Sequence, residues 1–334
     1  MTQAAQGTYA EEFSRLTEPF RRELLAHCYR MLGSTHDAQD VVQETYLRAW
    51  RGFSGFEGRS SLRVWLYRIA TSACLTTLKH RGRRVLPSGL GPAGDPDHPL
   101  AVAGPDVAWV HPLPDAELPG TDPATIVSTR SSVRLALVAA LQYLPARQRA
   151  VLILRDVLAW HASEVAELLD TSTDAVNSAL ARARAQLART GLTEDMFAEP
   201  ADPADRMLLD RYARAFQNAD TAALLQVLRE DVTMEMPPHL TWFAGRDAVT
   251  RFLTTTVFGR ISAIRTVPAT ANGQPALATF TRGADGLFHP HSLQVLTTTR
   301  TVVSRIVSFH DASLFEPCGL PTCLDDAGRP VGGR

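Results

Sequence analysis

The sequence predicts a multidomain chain that is all-α in its first two domains and α+β in its last. Three observations support this. At 334 residues the chain exceeds the usual length of one domain. Apolar residues recur at helical spacing over residues 9–84 and 131–190, whereas residues 204–316 begin with two helical stretches and continue in β-rich runs. Between the helical segments, residues 85–130 are rich in proline and glycine, which predicts a linker.

One helix of the first segment carries a polar stripe along one face. The stretch DAQDVVQETYLRAW begins at Asp37, and Ser34 stands where an N-cap is expected. Acidic residues come early and arginines late, which suits the helix dipole. The stripe consists of Asp37, Asp40, Glu44, Arg48 and Arg51. From spacing alone, it is either a solvated face or a docking surface.

Charge is unevenly distributed although the net charge is only −1. Residues 21–84 hold twelve arginines and lysines against five acids, which favours a polyanionic partner, although surface arginines also serve solubility. Residues 85–129 contain no lysine or arginine but six acids and nine prolines. We therefore expect this segment to lack a packed core and to act as a linker.

The stretch HASEVAELLDTSTDAVNSALARARAQL predicts a helix-turn-helix. Ala162, Val165, Ala166 and Leu169 form one short apolar face, and Ser172 can cap the next helix. The inner face of that second helix is formed by Val176, Leu180, Ala183 and Leu187. Such a helix can enter the major groove of DNA, although a plain αα-hairpin has the same pattern.

In the β-rich region, Asn272-Gly273 separates two strand-like runs and predicts a tight hairpin turn. Four cysteines in a chain of this length read as reduced thiols, and Cys318 and Cys323 lack a histidine at zinc-site spacing. We expect no metal and no cofactor. No run of 18 apolar residues and no signal pattern is present, so we expect a cytoplasmic protein without a membrane span.

Taken together, these segments resemble the extracytoplasmic-function sigma factors, the small promoter-recognition subunits of bacterial RNA polymerase. The resemblance rests on DAQDVVQETYLRAWRGFSGFEGRSSLRVWLYRIATSACL and on LQYLPARQRAVLILRDVLAWHASEVAELLDTSTDAVNSALARARAQL. It implies an all-α sigma region 2 at 9–84, an acidic linker at 85–130 and a helix-turn-helix sigma region 4 at 131–190. Within the family, the chain looks like the subgroup with a SnoaL-like α+β cone, here 204–316, and WVHPLPDAELPG resembles a linker motif of that subgroup.

The resemblance assigns roles to the helical residues. The docking face for the polymerase would be Asp37, Asp40, Gln43, Glu44 and Arg48. Contacts with the −10 element would come from Phe56, Arg59, Ser60, Arg63, Ser72, Lys79, Arg81, Arg83 and Arg84. Contacts with the −35 element would come from Ser172, Thr173, Asn177, Ser178, Ala181, Arg182 and Arg184. The acidic linker would thread the basic cleft of the polymerase.

The cone resembles folds that surround a pocket. Its candidate pocket residues are Glu235, His239, Trp242 and Asp311, with His310 beside them. No spacing makes them a catalytic set, so we expect a regulatory or ligand-sensing domain.

The sequence thus predicts a sigma factor that binds core RNA polymerase and directs promoter-specific initiation, modulated by its cone and without enzymatic activity. Its expected partners are core polymerase, promoter DNA and a candidate small-molecule ligand of the cone. Two alternatives stay open: a helix-turn-helix regulator that never joins polymerase, and a cone with its own enzymatic activity. The sequence Asn177-Ser178-Ala179 departs from the Lys-Ser-Arg common in relatives, which leaves the promoter sequence open.

Overall fold

A computed structural model of the chain describes residues 11–58, 60–119, 130–189, 203–299 and 301–331. The chain divides into two compact units. The first comprises Met1–Arg84 and Glu117–Leu192, and the second comprises Val85–Ala116 and Thr193–Arg334. None of the described helices combines the length and apolar character that crossing a bilayer requires.

The first unit is helical. Residues 11–17 are helical, and a 3₁₀ turn at Glu18–Phe20 interrupts the helical pattern at Pro19, as its sequence predicts. The helices that follow are α1 (Arg21–Leu32), α2 (Thr35–Gly52), α3 (Leu62–His80), α4 (Leu135–Leu141), α5 (Ala146–Leu152), α6 (Ala162–Leu168) and α7 (Thr173–Ala188). A π-helical stretch, Ile153–Val157, extends α5.

Two predicted helix starts are confirmed by their hydrogen bonds. The Ser34 side chain accepts from the backbone N–H of Asp37 at 3.2 Å and begins α2. The Ser172 side chain accepts from the backbone N–H of Ala175 at 3.2 Å and begins α7. In both cases a local side chain satisfies a donor that the first turn leaves unpaired.

A buried arginine joins α5 to the earlier helices of the first unit. The Arg149 guanidinium donates to the carbonyl of Met31, to the Gln142 side chain at 2.6 Å and to the Leu144 carbonyl at 3.1 Å. Burial lowers the pKa of Arg149 to about 10, so the group stays charged at neutral pH. The core around this network is built largely from α1, whose residues Leu24–Leu32 are all buried.

The second unit contains the α+β cone. Helices α8 (Pro203–Gln217), α9 (Thr221–Val227) and α10 (Arg246–Phe252) accompany one six-stranded sheet. Its strands are β1 (Leu228–Glu235), β2 (Trp242–Ala244), β3 (Ile264–Ala271), β4 (Gln274–Arg282), β5 (Phe288–Thr298) and β6 (Val303–Phe309). The strand order is β2-β1-β6-β5-β4-β3, and β1 and β6 are parallel while the other neighbours are antiparallel.

The predicted hairpin at Asn272-Gly273 is present between β3 and β4. Both residues have positive φ, 59° and 64°, which is the geometry of a two-residue type I′ turn. Asparagine and glycine adopt this backbone at the least cost. The Asn272 side chain is buried and accepts from the backbone N–H of Leu113 at 2.9 Å.

That last contact corrects the interpretation of residues 85–130. We predicted a linker without a packed core, but Val85–Ala116 belongs to the same compact unit as the cone. Val85, Leu86, Val110 and Leu113 are buried. The segment has little regular structure of its own, and many of its hydrogen bonds go to the cone. Composition does not reveal such distant partners. Residues 120–129 lie outside the described residues.

Candidate functional site

The polar stripe of α2 has one buried member and several exposed ones. Asp37 is 5% exposed, and its carboxylate accepts from Arg81 and, at 2.6 Å, from Arg84. Burial opposes ionisation of Asp37, but the two guanidinium groups outweigh it and lower the pKa of the carboxyl. This carboxylate is therefore committed inside the first unit, which corrects its assignment to an open docking face.

The rest of the predicted docking face is accessible. Asp40 is exposed beside His36, at 3.3 Å. Glu44 accepts from Arg48 at 2.7 Å one helical turn later, and both side chains are 43% exposed. Gln43 is exposed on the same helix. We call these four residues the α2 face: Asp40, Gln43, Glu44 and Arg48.

Several cations predicted to contact the −10 element have partners within the first unit. Arg63 donates to both carboxylate oxygens of Glu23, at 3.0 and 3.1 Å. The guanidinium of Arg83 lies 4.4 Å from the centre of the Tyr143 ring. Together with Arg81 and Arg84 on Asp37, four of the arginines predicted to contact the −10 element have partners inside the first unit.

Of the remaining −10 candidates, Phe56 and Ser60 lie between α2 and α3, whereas Ser72 and Lys79 lie further along α3. The half-buried rings of Phe56 and Trp65 are stacked at a tilt, with centroids 4.9 Å apart. Ser60 is half-buried, and Ser72 and Lys79 are exposed on or beside α3. Arg59 lies outside the described residues.

The predicted −35 residues share the exposed side of α7. Val176, Leu180 and Ala183 are buried on its inner side, as predicted from their spacing. The exposed set is Ser172, Thr173, Asn177, Ser178, Ala181, Arg182 and Arg184. Arg184 donates twice to Asp156, at 2.7 and 2.9 Å, whereas Arg182 is exposed.

The linker Val85–Ala116 is bonded to the cone along its length. Near its start, the backbone N–H of Ser88 donates to Glu235 at 2.9 Å. Further on, the Trp242 indole donates to the Gly91 carbonyl at 2.9 Å, and the Gly94 N–H donates to the Trp242 carbonyl at 2.8 Å.

The later part of the linker continues in the same way. The Ala101 N–H donates to the Thr241 hydroxyl at 2.8 Å, and the Asp97 carboxylate pairs with Arg251. At the far end, the Asp115 carboxylate accepts from the Gly273 N–H at 2.8 Å in the β3–β4 turn. Many polar groups of the linker are thus bonded to the cone, while others are bonded within the linker, as in the Val110 N–H that donates to the Val85 carbonyl at 3.0 Å.

A cavity of about 260 Å³ lies inside the cone. Among the four predicted pocket residues, only His239 lines it, together with the neighbouring candidate His310. Side chains alternate along β1, so Met234 and Met236 line the cavity and Glu235 between them points away. Glu235 is fully buried and pairs with Arg305.

The other two pocket candidates serve local structure. Trp242 holds the linker, and Asp311 accepts from the Ser313 N–H at 2.9 Å to begin a 3₁₀ turn. In their place the sheet brings in a residue that was not among the predicted pocket residues: His291 on β5 lines the cavity. The register of β5 places His291 in the cavity, and the sequence alone does not reveal that register.

Three histidine rings meet in the cavity. The centroid of His310 lies 5.7 Å from that of His239 and 5.0 Å from that of His291. Burial, with the charges of the other two rings, lowers the pKa of His310 to about 3, and burial lowers that of His291. The rings of His310 and His291 are therefore neutral at physiological pH.

The described residues offer one group whose ligand atoms come close enough for a metal ion: His36, Asp37 and Asp40. The two arginines bound to Asp37 disfavour a cation there. Cys318 stays protonated, because burial, with Asp115 nearby, raises its pKa to about 11. We assign no metal or cofactor to either place.

Comparison with known proteins gives consistent matches to all three domains. Residues 16–84 match the Sigma-70 region 2 family, residues 134–187 the Sigma-70, region 4 family, and residues 209–312 the SnoaL-like domain family. The chain is 49% identical over 320 residues to the ECF RNA polymerase sigma factor SigG of Mycobacterium tuberculosis, covering 94% of this chain and 85% of that protein.

A second relative is similar in sequence and in fold. The ECF RNA polymerase sigma factor SigJ of Mycobacterium tuberculosis is 28% identical over 243 residues, which cover 71% of this chain and 70% of SigJ. The crystal structure of SigJ superimposes with a TM-score of 0.57 and 24% identity, over 93% of this chain and 99% of that one. The two chains therefore share a fold.

Proposed function

The chain belongs to the extracytoplasmic-function sigma factors, and from this premise we propose how its residues divide the work of promoter recognition. As a sigma factor it binds core RNA polymerase and directs initiation at specific promoters. It is not an enzyme, because the polymerase performs the chemistry. We infer that it works in the cytoplasm, where its polymerase acts.

We assign polymerase docking to the α2 face, and we give Asp37 a structural role. The side chains of Asp40 and Glu44 are 56% and 43% exposed, so they can pair with cations of a partner. Asp37 is 6% exposed in its side chain and already has two arginine partners. Charges that are accessible and only weakly paired are the ones that a partner surface can use.

For the promoter, we assign the −35 element to the exposed side of α7 and the −10 element to the Phe56 region. The N-terminal half of α7 presents Thr173, Asn177 and Ser178, whose polar groups can reach base edges in a major groove. Phe56 beside Trp65 offers an aromatic surface for an unstacked base. Exposed Lys79 can contact phosphates.

We further propose that the cone modulates initiation by holding the linker between regions 2 and 4. The observation that carries this proposal is the bonding of Val85–Ala116 to the cone, from Ser88 on Glu235 to Asp115 on Gly273. A linker held in this way is not free to thread the cleft of the polymerase. The hold therefore biases which arrangements of regions 2 and 4 the chain can adopt.

A glycine substitution tests this role of the cone. A Cβ added at Gly94 would lie 2.7 Å from the Thr241 methyl group, whereas one added at Gly104 of the same linker meets nothing within 4 Å. We expect Gly94→Ala to loosen the linker and to change promoter-specific transcription several-fold, while Gly104→Ala behaves as the native chain. Amide exchange of linker peptides would verify the loosening.

The outcome that contradicts the proposal is a linker that exchanges faster in Gly94→Ala without any change in transcription. The sigma assignment itself is tested by reconstitution of the full chain with core polymerase on genomic promoter fragments. Failure to bind core under conditions where other sigma factors bind would contradict it.

A further inference from the structure

We propose that the cavity of the cone is a binding site for a small, neutral, mainly apolar molecule that carries a hydroxyl group, and that Leu100 of the linker forms part of its wall. Occupancy of the cavity would then strengthen the hold of the cone on the linker. The consequence for transcription rests on the function proposed above, whereas binding itself does not.

The size and lining of the cavity determine the class of ligand. A volume of about 260 Å³ is at the small end of ligand sites in proteins. Apolar side chains such as Met234, Phe252 and Ile264 form much of the wall. Among the described lining residues there is no carboxylate, and the one guanidinium, Arg260, is exposed. An ion would lose its hydration in this cavity without a buried counter-charge, which disfavours charged ligands.

His239 and Gln294 are two of the polar lining side chains that can recognise a hydroxyl group. The Nδ1 atom of His239 lies 3.1 Å from the Met236 carbonyl, which only accepts, so in the neutral ring Nδ1 carries the proton and Nε2 is an acceptor. The Oε1 atom of Gln294 accepts from the Tyr212 hydroxyl at 2.8 Å, which directs the amide nitrogen to other acceptors. A hydroxyl group both donates and accepts, and it therefore suits this pair.

Leu100 connects the cavity to the linker. Its side chain lines the cavity and packs against the core of the cone. Directly after Leu100, the Leu240 N–H donates to the Ala101 carbonyl at 2.7 Å, and the Ala103 N–H donates to the Pro238 carbonyl at 3.2 Å. A ligand in contact with Leu100 binds only while these bonds hold the linker in place, so it must stabilise them.

Binding is tested with 2-naphthol, a neutral fluorescent probe, on the full chain at pH 7.5. Naphthalene, which lacks the hydroxyl group, and 2-naphthoate, which is an anion, are the matched probes. We expect 2-naphthol to bind more tightly than both. His239→Phe should bring its affinity to that of naphthalene, whereas His289→Phe, at an exposed position, should leave it unchanged. Absence of binding, or tighter binding of 2-naphthoate, would overturn the proposed ligand class.

The role of Leu100 is tested by Leu100→Ala, with Leu90→Ala at an exposed position of the same linker as the control. Loss of part of the wall should weaken 2-naphthol binding by about tenfold, since roughly two buried methylene groups of contact are lost. The control should bind as the native chain. Circular dichroism checks that both variants fold, and Leu100→Met supplies a milder change if Leu100→Ala does not. Equal affinity of a folded Leu100 variant and the control would exclude Leu100 from the site.

Coupling is tested by amide exchange of the linker with and without the probe. At a probe concentration of about 100 times its Kd, exchange of the amides of Ala101 and Ala103 should slow by up to about 100-fold. Faster exchange would mean that the ligand displaces the linker, and unchanged exchange would mean that the two are independent. Either result overturns the coupling. These measurements need no polymerase, so they can fail while the Gly94→Ala test succeeds, and the reverse also holds.

Discussion

Substitution of Asp37 and Asp40 should separate stability from polymerase binding, although both acids lie on one helix. Asp37→Asn leaves Arg84, whose side chain is 15% exposed, and Arg81, which is 51% exposed, without their anion. Loss of one partner of a fully buried pair costs about 3–5 kcal/mol, and the exposure of Arg81 reduces this to about 2 kcal/mol. Amide exchange in α2 and α3 should then accelerate by about 30-fold at pH 7.

Asp40→Asn is the matched change on the exposed side of the same helix. Its exposed carboxylate pairs with the exposed His36, so stability should change by less than about 0.5 kcal/mol. Affinity for core polymerase, measured with fully folded protein, should fall about tenfold for Asp40→Asn and much less for Asp37→Asn. The opposite pattern, with Asp37→Asn weakening binding at unchanged amide exchange, would refute the structural role of Asp37.

The pH dependence gives an independent check on Asp37. Its pKa is held below the ordinary value of 3.8, because the arginine hydrogen bonds outweigh the effect of burial. The ionised carboxylate therefore contributes stability above pH 3.8, and this contribution is lost as the pH falls through the folded-state pKa. The native chain and Asp37→Asn should approach equal stability in that acidic range.

Three further predictions concern other parts of the chain. Arg182→Ala should lower promoter affinity by about 1–3 kcal/mol if Arg182 reads a base, measured by binding to promoter fragments, and Arg184→Ala should cost less because Asp156 holds that side chain. Acidification should destabilise the chain, because burial lowers the pKa of His27 and His310 from 6.5 to about 3. Below pH 6.5 the unfolding constant should therefore rise up to about tenfold per pH unit for each site. In His27→Gln, the plot of stability against pH should be flatter. Truncation after residue 189 should change transcription several-fold while core binding persists; equal promoter activity would exclude a modulating cone.

Local patterns in the sequence were sufficient for the helices, their caps and the β3–β4 turn. Ser34 and Ser172 act within three residues of themselves, and Asn272-Gly273 requires only its own backbone angles. Such features depend on neighbours in sequence, so periodicity and turn chemistry predict them.

The errors come from long-range contacts. The spacing of Asp37 predicts that it belongs to a solvated or docking stripe. Its partners Arg81 and Arg84 lie more than forty residues later, so local spacing does not reveal them. Glu235 was predicted to line the pocket, but successive residues of β1 face opposite sides of the sheet. Met234 and Met236 therefore line the cavity and Glu235 does not. Composition describes a segment by its own residues, whereas the linker is ordered by residues of another domain.

The bonding of the linker to the cone has a consequence for the order in which the chain is synthesised. Residues 85–116 leave the ribosome well before the residues that form their hydrogen bonds. Ser88 donates to Glu235 and Leu113 donates to Asn272, and both acceptors are synthesised much later. Until the last third of the chain emerges, Val85, Leu86 and Val110 lack their final surroundings. A nascent or prematurely terminated chain therefore has complete helical regions with an unsatisfied segment between them, and such a chain is a ready substrate for chaperones and proteases.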